Sequence, residues 1–140
     1  MIAYVDASVL LRLALGQADA LAAWRQVEQG VSSALILTES LRTLDRLRLR
    51  VRLPDGEVAR RRAVILQLVA SLELVDVDAI VLERAAQPMP TEIGTLDAIH
   101  LATALLWRAQ SGMELTMATH DEALGLAARA HGMPVVGVAG

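Results

Sequence analysis

Four carboxylates stand out by where they fall. Asp6 closes a short apolar run, Glu39 follows a second, Asp97 lies near the start of a strongly patterned helical stretch, and Asp121 follows a third apolar run. Asp97 heads a helical stripe in which Leu101, Ala104 and Leu105 recur at i+4, i+7 and i+8. An acid that faces a core is costly unless something offsets its charge. Acids gathered in one place also repel and raise one another's pKa. A divalent cation resolves both difficulties. Ligands that are all oxygen, in a chain with no cysteine, suit a hard ion such as Mg2+ or Mn2+. Held by carboxylates, that ion keeps waters, binds phosphate oxygens and lowers the pKa of an attacking water. The chemistry implied is metal-assisted hydrolysis of a phosphodiester.

Taken singly, each acid has a plainer use. Asp97 and Asp121 each stand two residues after a threonine, at the second helical position, where any acid favours the helix dipole. Glu39 can pair with Arg42 or Arg46 on a solvated face. Asp6 can cap the turn after its strand. The specificity lies in the conjunction, which requires elements that bring four distant stretches together.

Those elements read as follows. Residues 2–5 form a buried strand. Ser8 precedes a helix ended by Gly16, and residues 19–29 form a second helix through Leu21, Trp24 and Val27, closed by Gly30. Residues 31–35 are a strand. The stripe Leu37, Leu41, Leu44, Leu47 marks a helix with Glu39 in its first turn. Pro54-Asp55-Gly56 reads as a turn, and residues 58–71 as a helix with an arginine face. A strand at 72–77 precedes a helix capped by Asp78 and stopped by Pro88. Thr95 caps a helix over 96–110. A strand at 115–118 leads into a helix over 119–130, opened by the capping box Thr119-His120-Asp121-Glu122, and 135–138 is a last strand. Strands alternate with helices throughout. The expected architecture over residues 1–140 is one α/β domain of three α/β/α layers, with a parallel sheet of four to five strands. In such a sheet strand ends and the helix starts after them share the carboxyl edge, where ligands bind.

Composition narrows the function. At 140 residues and 54% hydrophobic the chain builds a core and is not disordered. Its apolar runs are far short of the roughly 18 residues of a membrane span, and its first residues lack a signal peptide's basic segment. With no cysteine, these features predict a cytoplasmic protein. All thirteen basic residues are arginine. The missing lysine excludes Walker A loops, Schiff bases and Ser–Lys dyads. Three aromatic residues (Tyr4, Trp24 and Trp107) are too few for a base-stacking platform. Net charge is −3, yet Arg42, Arg46, Arg48, Arg50, Arg52, Arg60, Arg61 and Arg62 crowd one segment against only Asp45, Asp55 and Glu57. Of these, Arg42, Arg46, Arg60, Arg61 and Arg62 are candidate phosphate contacts. A solvated helix face is an equal use for them.

Four blocks, in order, resemble the PIN-domain ribonucleases, above all the VapC-like toxins of type II toxin–antitoxin pairs. They are Tyr4-Val5-Asp6-Ala7-Ser8, the stretch Ser32-Ser33-Ala34-Leu35-Ile36-Leu37-Thr38-Glu39, the helix start Thr95-Leu96-Asp97-Ala98-Ile99-His100-Leu101-Ala102-Thr103-Ala104, and Ala118-Thr119-His120-Asp121. Thr103 departs from the family by replacing the first alanine of its paired alanines. The resemblance covers nearly the whole chain. It implies a PIN-like fold and an Mg2+- or Mn2+-dependent endoribonuclease that cleaves RNA as the toxin of such a pair. In that reading Asp6, Asp97 and Asp121 hold the metal directly or through water, and Glu39 is a ligand or orients the attacking water. Ser8 and Thr119 steady the site by hydrogen bonds. It further implies a homodimer and a cognate antitoxin that blocks the crevice.

Of the other candidates, His100, three residues after Asp97, could support the acids from behind but reads better as a satisfied, partly buried histidine; His120, next to Asp121, could touch substrate but reads better as an exposed loop residue; and His131 reads as a helix C-terminal residue. Trp24 and Trp107 read as core or dimer interface. A dehalogenase-type phosphatase wants a second aspartate where Ser8 stands, and a phosphoacceptor receiver domain needs a lysine. The remaining rival is a non-catalytic PIN-like module that binds RNA or protein without cutting. The complete acid set disfavours it.

Overall fold

Ile2-Ala3-Tyr4-Val5 forms the central strand, β1 (Ile2–Val5), and Ala3, Tyr4 and Val5 are fully buried. A strand covered on both faces is apolar throughout rather than alternating. The computed structural model describes residues 1–139. Strands β2 (Gln29–Ser33) and β3 (Leu72–Val75) lie on one side of β1, and β4 (Thr116–Ala118) and β5 (Val135–Val136) on the other. The order is β3-β2-β1-β4-β5 and every pairing is parallel. The expected α/β/α sandwich is thus present, with a five-stranded sheet.

Side-chain alternation along β1 divides the core. Ala3 and Val5 pack with Val9 and Leu10 of α1 (Ala7–Ala14), with Ile36 and Leu44 of α2 (Leu35–Val51), and with Ile65 and Val69 of α3 (Asp55–Ala70). Tyr4 points the other way. It packs with Leu101 and Ala104 of α5 (Thr95–Ser111) and with Leu124 and Ala127 of α6 (Glu122–Ala130). The short α4 (Ala79–Ala85) lies against α5 through Val81, Ile99 and Ala102. Asp78 caps α4 as expected, accepting from the Val81 amide at 2.9 Å. Trp24 and Trp107 pack at the margins of the two cores.

Several local expectations are corrected. The helix expected at 19–29 is only a 3-10 turn at Ala22–Gln26. The edge of β1 claims the residues after it: the Glu28 amide donates to the Met1 carbonyl, and Gln29 and Gly30 pair with Ile2 and Ala3. Gly30 therefore ends no helix. It lies inside β2, where an added Cβ would stand 2.4 Å from Leu72 Cδ2. The segment 54–56 is not a free turn but the start of α3, with Pro54 at the cap and Asp55 and Glu57 in the first turn. Helix α2 starts at Leu35, which moves Glu39 into its second turn. The strands end earlier than expected at Ser33, Val75 and Val136.

The caps shift as well. Asp6 caps α1, the plainer use open to it in sequence, while Gly94, not Thr95, caps α5, and Asp121, not Thr119, caps α6. Asp97 is consequently the third residue of its helix, and Asp121 lies outside its own. Ser8 and Thr119 are both engaged at the site described next.

Candidate active site

Chain direction reverses around β1. From β1 the chain builds outward through β2 and β3, then returns to lay β4 on the opposite flank. A crevice opens at the carboxyl end of a parallel sheet at such a switch point. Asp6 stands there as the residue after β1, buried to 4% exposure.

Three donors converge on Asp6. Its Oδ1 accepts from Ser8 Oγ at 2.6 Å and from the Val9 amide at 3.2 Å, and its Oδ2 accepts from Thr119 Oγ1. The same two hydroxyls accept in turn: Ser8 Oγ from the His120 amide at 2.9 Å, Thr119 Oγ1 from the Asp121 amide at 3.0 Å. They tie the end of β1 to the segment after β4. A carboxylate has about four acceptor directions, so Asp6 keeps one, on Oδ2, for another partner.

The other acids surround this point. Asp121 accepts from the Leu124 amide at 2.9 Å through Oδ1. Glu39 Oε1 lies 2.5 Å from His100 Nε2. Asp97 is half-buried. Its pKa is pushed up to about 6, first by burial and then by the charges of Asp121, Asp6 and Glu39. The charges of the other three acids thus all act on the Asp97 carboxyl.

As the side chains stand, no three His, Cys, Asp or Glu residues among the described residues are close enough to hold one ion together. Asp6, Glu39 and Asp121 each turn at least one oxygen toward another group of the protein itself. The donor set still fits a hard divalent ion, since it is all carboxylate and carries mutual repulsion that such an ion relieves. Mg2+ in particular takes one or two carboxylates directly and reaches the rest through its waters.

Residues 3–131 match the family model described as PIN domain. The chain belongs to the PIN-domain family. Over 140 residues, this PIN domain is 39% identical to Ribonuclease VapC46 of Mycobacterium tuberculosis, covering 95% of each chain. Two solved structures share its fold at 20% identity. A toxin–antitoxin complex from Klebsiella pneumoniae matches with TM-score 0.65, over 99% of this chain and 96% of that one. The sarcin–ricin-loop-cleaving toxin VapC20 of Mycobacterium tuberculosis matches with TM-score 0.63, over 89% and 94%.

The arginines divide. Arg42 and Arg46 line a groove of about 290 Å3 beside the acids, together with Ala7, Leu35, Glu39 and Leu96. Arg42 is paired with Asp45 at 3.0 Å, whereas Arg46 reaches only Thr43 Oγ1 at 3.1 Å. Arg60, Arg61 and Arg62 lie on α3 and line no part of this groove. Arg61 and Arg60 both pair with Glu57 and hold its carboxyl below the usual range. Arg62 has no carboxylate partner among the described residues.

One residue at the PIN-domain site escaped the sequence reading, and a second was weighed there and set aside. His100 is satisfied, as expected, but it is 1% exposed rather than partly buried, and its partner is Glu39. Tyr4, read only as part of a strand, joins the same cluster, its hydroxyl 2.6 Å from His100 Nδ1. The available signal was the spacing of His100, one helical turn after Asp97 and on the same face.

Proposed function

We propose that this PIN domain is the ribonuclease toxin of a toxin–antitoxin pair and cleaves RNA phosphodiester bonds with Mg2+ or Mn2+. The observation that carries the reading is the single field shared by Asp6, Glu39, Asp97 and Asp121 at the sheet's switch point. The relative at 39% identity, named a ribonuclease, supports the same chemistry.

Asp6, Asp97, Asp121 and Glu39 would hold the ion, directly or through its waters. When bound there, it supplies charge stabilisation at a phosphate and a water of lowered pKa. Ser8 and Thr119 keep Asp6 in one orientation. Arg46, and Arg42 where it leaves Asp45, present guanidinium groups to the flanking phosphates of an RNA strand lying in the groove. Without a cation the acids repel that strand, so the ion strengthens binding as well as supplying the chemistry.

A cognate antitoxin, a homodimer and a cytoplasmic location belong to the same reading. The fold neighbour solved as a toxin–antitoxin complex supports the first. A second groove, of about 300 Å3 and lined by Leu82, Ala85, Ile93 and Ile99, suits a protein partner by its apolar walls. No helix among the described residues is long and apolar enough to cross a membrane.

The test is a short pulse of expression with sequencing of RNA ends, beside an Asp6→Asn control. New ends that appear with the wild type and vanish in the control are expected, together with growth arrest that the substitution relieves. Arrest of equal depth with Asp6→Asn would count against metal-dependent cleavage.

A further inference from the structure

We infer that Tyr4 and His100 are positioning residues that lock the carboxylate of Glu39 through a buried chain of two hydrogen bonds. The inference rests on the reading of the crevice given under Proposed function, and concerns how one of its acids is held. Asp6 is fixed by three donors. Glu39 has a longer and more flexible side chain, and its Oε1 has a single partner, His100 Nε2 at 2.5 Å. The other ring nitrogen, Nδ1, lies 2.6 Å from the Tyr4 hydroxyl. Both nitrogens of a ring that is 1% exposed are therefore engaged, one by the central strand and one by an acid of the site.

The proton positions follow from the neighbours. The Tyr4 phenol is fully buried, where a neutral hydroxyl is favoured over a phenolate. The neutral ring carries its one proton on Nε2, facing the Glu39 carboxylate, and the bare Nδ1 accepts from the Tyr4 hydroxyl. The opposite tautomer would set a bare Nε2 against a carboxylate oxygen, lone pair to lone pair, at 2.5 Å. With Oε1 held in this way, Oε2 is the oxygen Glu39 offers to the crevice. Outer partners that fix the tautomer and orientation of a ligand commonly change metal affinity or activity by about 10–100-fold. The same logic runs here from tyrosine through histidine to a carboxylate.

The test begins on metal-free protein carrying ring-15N histidine. His100 is expected as a single tautomer, protonated at Nε2 and bare at Nδ1. A spectrum with the proton on Nδ1 overturns the inference. The next comparison is His100→Leu against His100→Gln, because glutamine returns an amide donor near the Nε2 position. With Mn2+ alone as the probe, His100→Leu is expected to raise the midpoint of the Mn2+-dependent melting shift about tenfold. His100→Gln is expected to restore it to within about threefold. A His100→Leu midpoint equal to wild type overturns the inference. If His100→Leu does not fold, Tyr4→Phe removes one oxygen and keeps the ring. Glu39 still holds the ring proton on Nε2 in that variant, so its His100 Nδ1 resonance alone is expected to shift as the Tyr4 hydrogen bond is lost, and an unchanged Nδ1 resonance is the contrary result. Neither readout requires RNA cleavage, so a wild type that cuts no RNA sinks the proposed function without touching this test. A wild type indifferent to Mn2+ removes the metal from the crevice, and the tautomer then decides the Tyr4–His100 chain by itself.

Discussion

Asp97 has a pKa of about 6 in the folded protein against 3.8 as a free side chain, raised by burial and then by Asp121, Asp6 and Glu39. The consequence for stability has a definite sign. Between pH 3.8 and about 6 the folded state binds more protons than the unfolded chain, so stability falls as pH rises through that window. Above it the ionised carboxylate is a constant burden on the metal-free protein. Because the group is only half-buried, solvent screening holds that burden to about 1 kcal/mol. Asp97→Asn is expected to raise the metal-free melting temperature at pH 7.5 by about 3 °C and to leave it unchanged at pH 3.5. Mn2+ is expected to stabilise the wild type at pH 7.5, lose much of that effect at pH 5, and do nothing for the variant. Melting curves in EDTA and in Mn2+ at the three pH values decide it. A variant that still responds to Mn2+ would place the ion elsewhere.

The sequence exposed the four acids because an acid beside a buried run is conspicuous. It misplaced the caps, because Thr95 and Thr119 are capping residues by type; the hydrogen bonds implied for Ser8 and Thr119 by the family resemblance take definite form in the fold, where both hydroxyls turn to Asp6. The same competition erased the helix expected at 19–29, since pairing with β1 claimed its last residue. Element ends are set by such contests, which local propensity does not record. Gly137 shows what the loop after β5 contributes to the site. Its φ is +105°, and a Cβ there would stand 2.2 Å from the Thr119 carbonyl. That carbonyl belongs to the residue whose hydroxyl holds Asp6, so close approach of this loop presses on the wall of the crevice. Gly137→Ala is expected to cost about 3 kcal/mol in a denaturant melt, through a strained backbone and a clash that neither side can yield cheaply. A loss under about 0.5 kcal/mol would show that the loop gives way freely.

Across the whole molecule, sheet order was the part the alternation of strands and helices left open, and it is the part that places the site. Parallel strands could be inferred from the alternation, but only the observed return of β4 to the far side of β1 puts Asp121 across from Glu39 with Asp6 between. The charge pattern obeys a similar division. A segment of eight arginines against three acids looks uniformly basic in sequence, yet Asp45 and Glu57 each engage two of those arginines. Under the proposed function the phosphate contact falls first to Arg46, which shares a groove with Glu39 and has no carboxylate partner among the described residues. Binding of single-stranded RNA loses affinity with salt at about 0.7 logarithmic units per phosphate neutralised. With cleavage blocked by Asp6→Asn, adding Arg46→Ala is expected to lower the salt slope by about 0.7 and weaken binding at low salt. Adding Arg60→Ala is expected to leave the slope alone, because that guanidinium is already paired with Glu57. Titrations of a labelled RNA at several salt concentrations compare the two. Equal slopes for both double variants would remove the groove from the path of the RNA and return the arginine segment to the role of a solvated face.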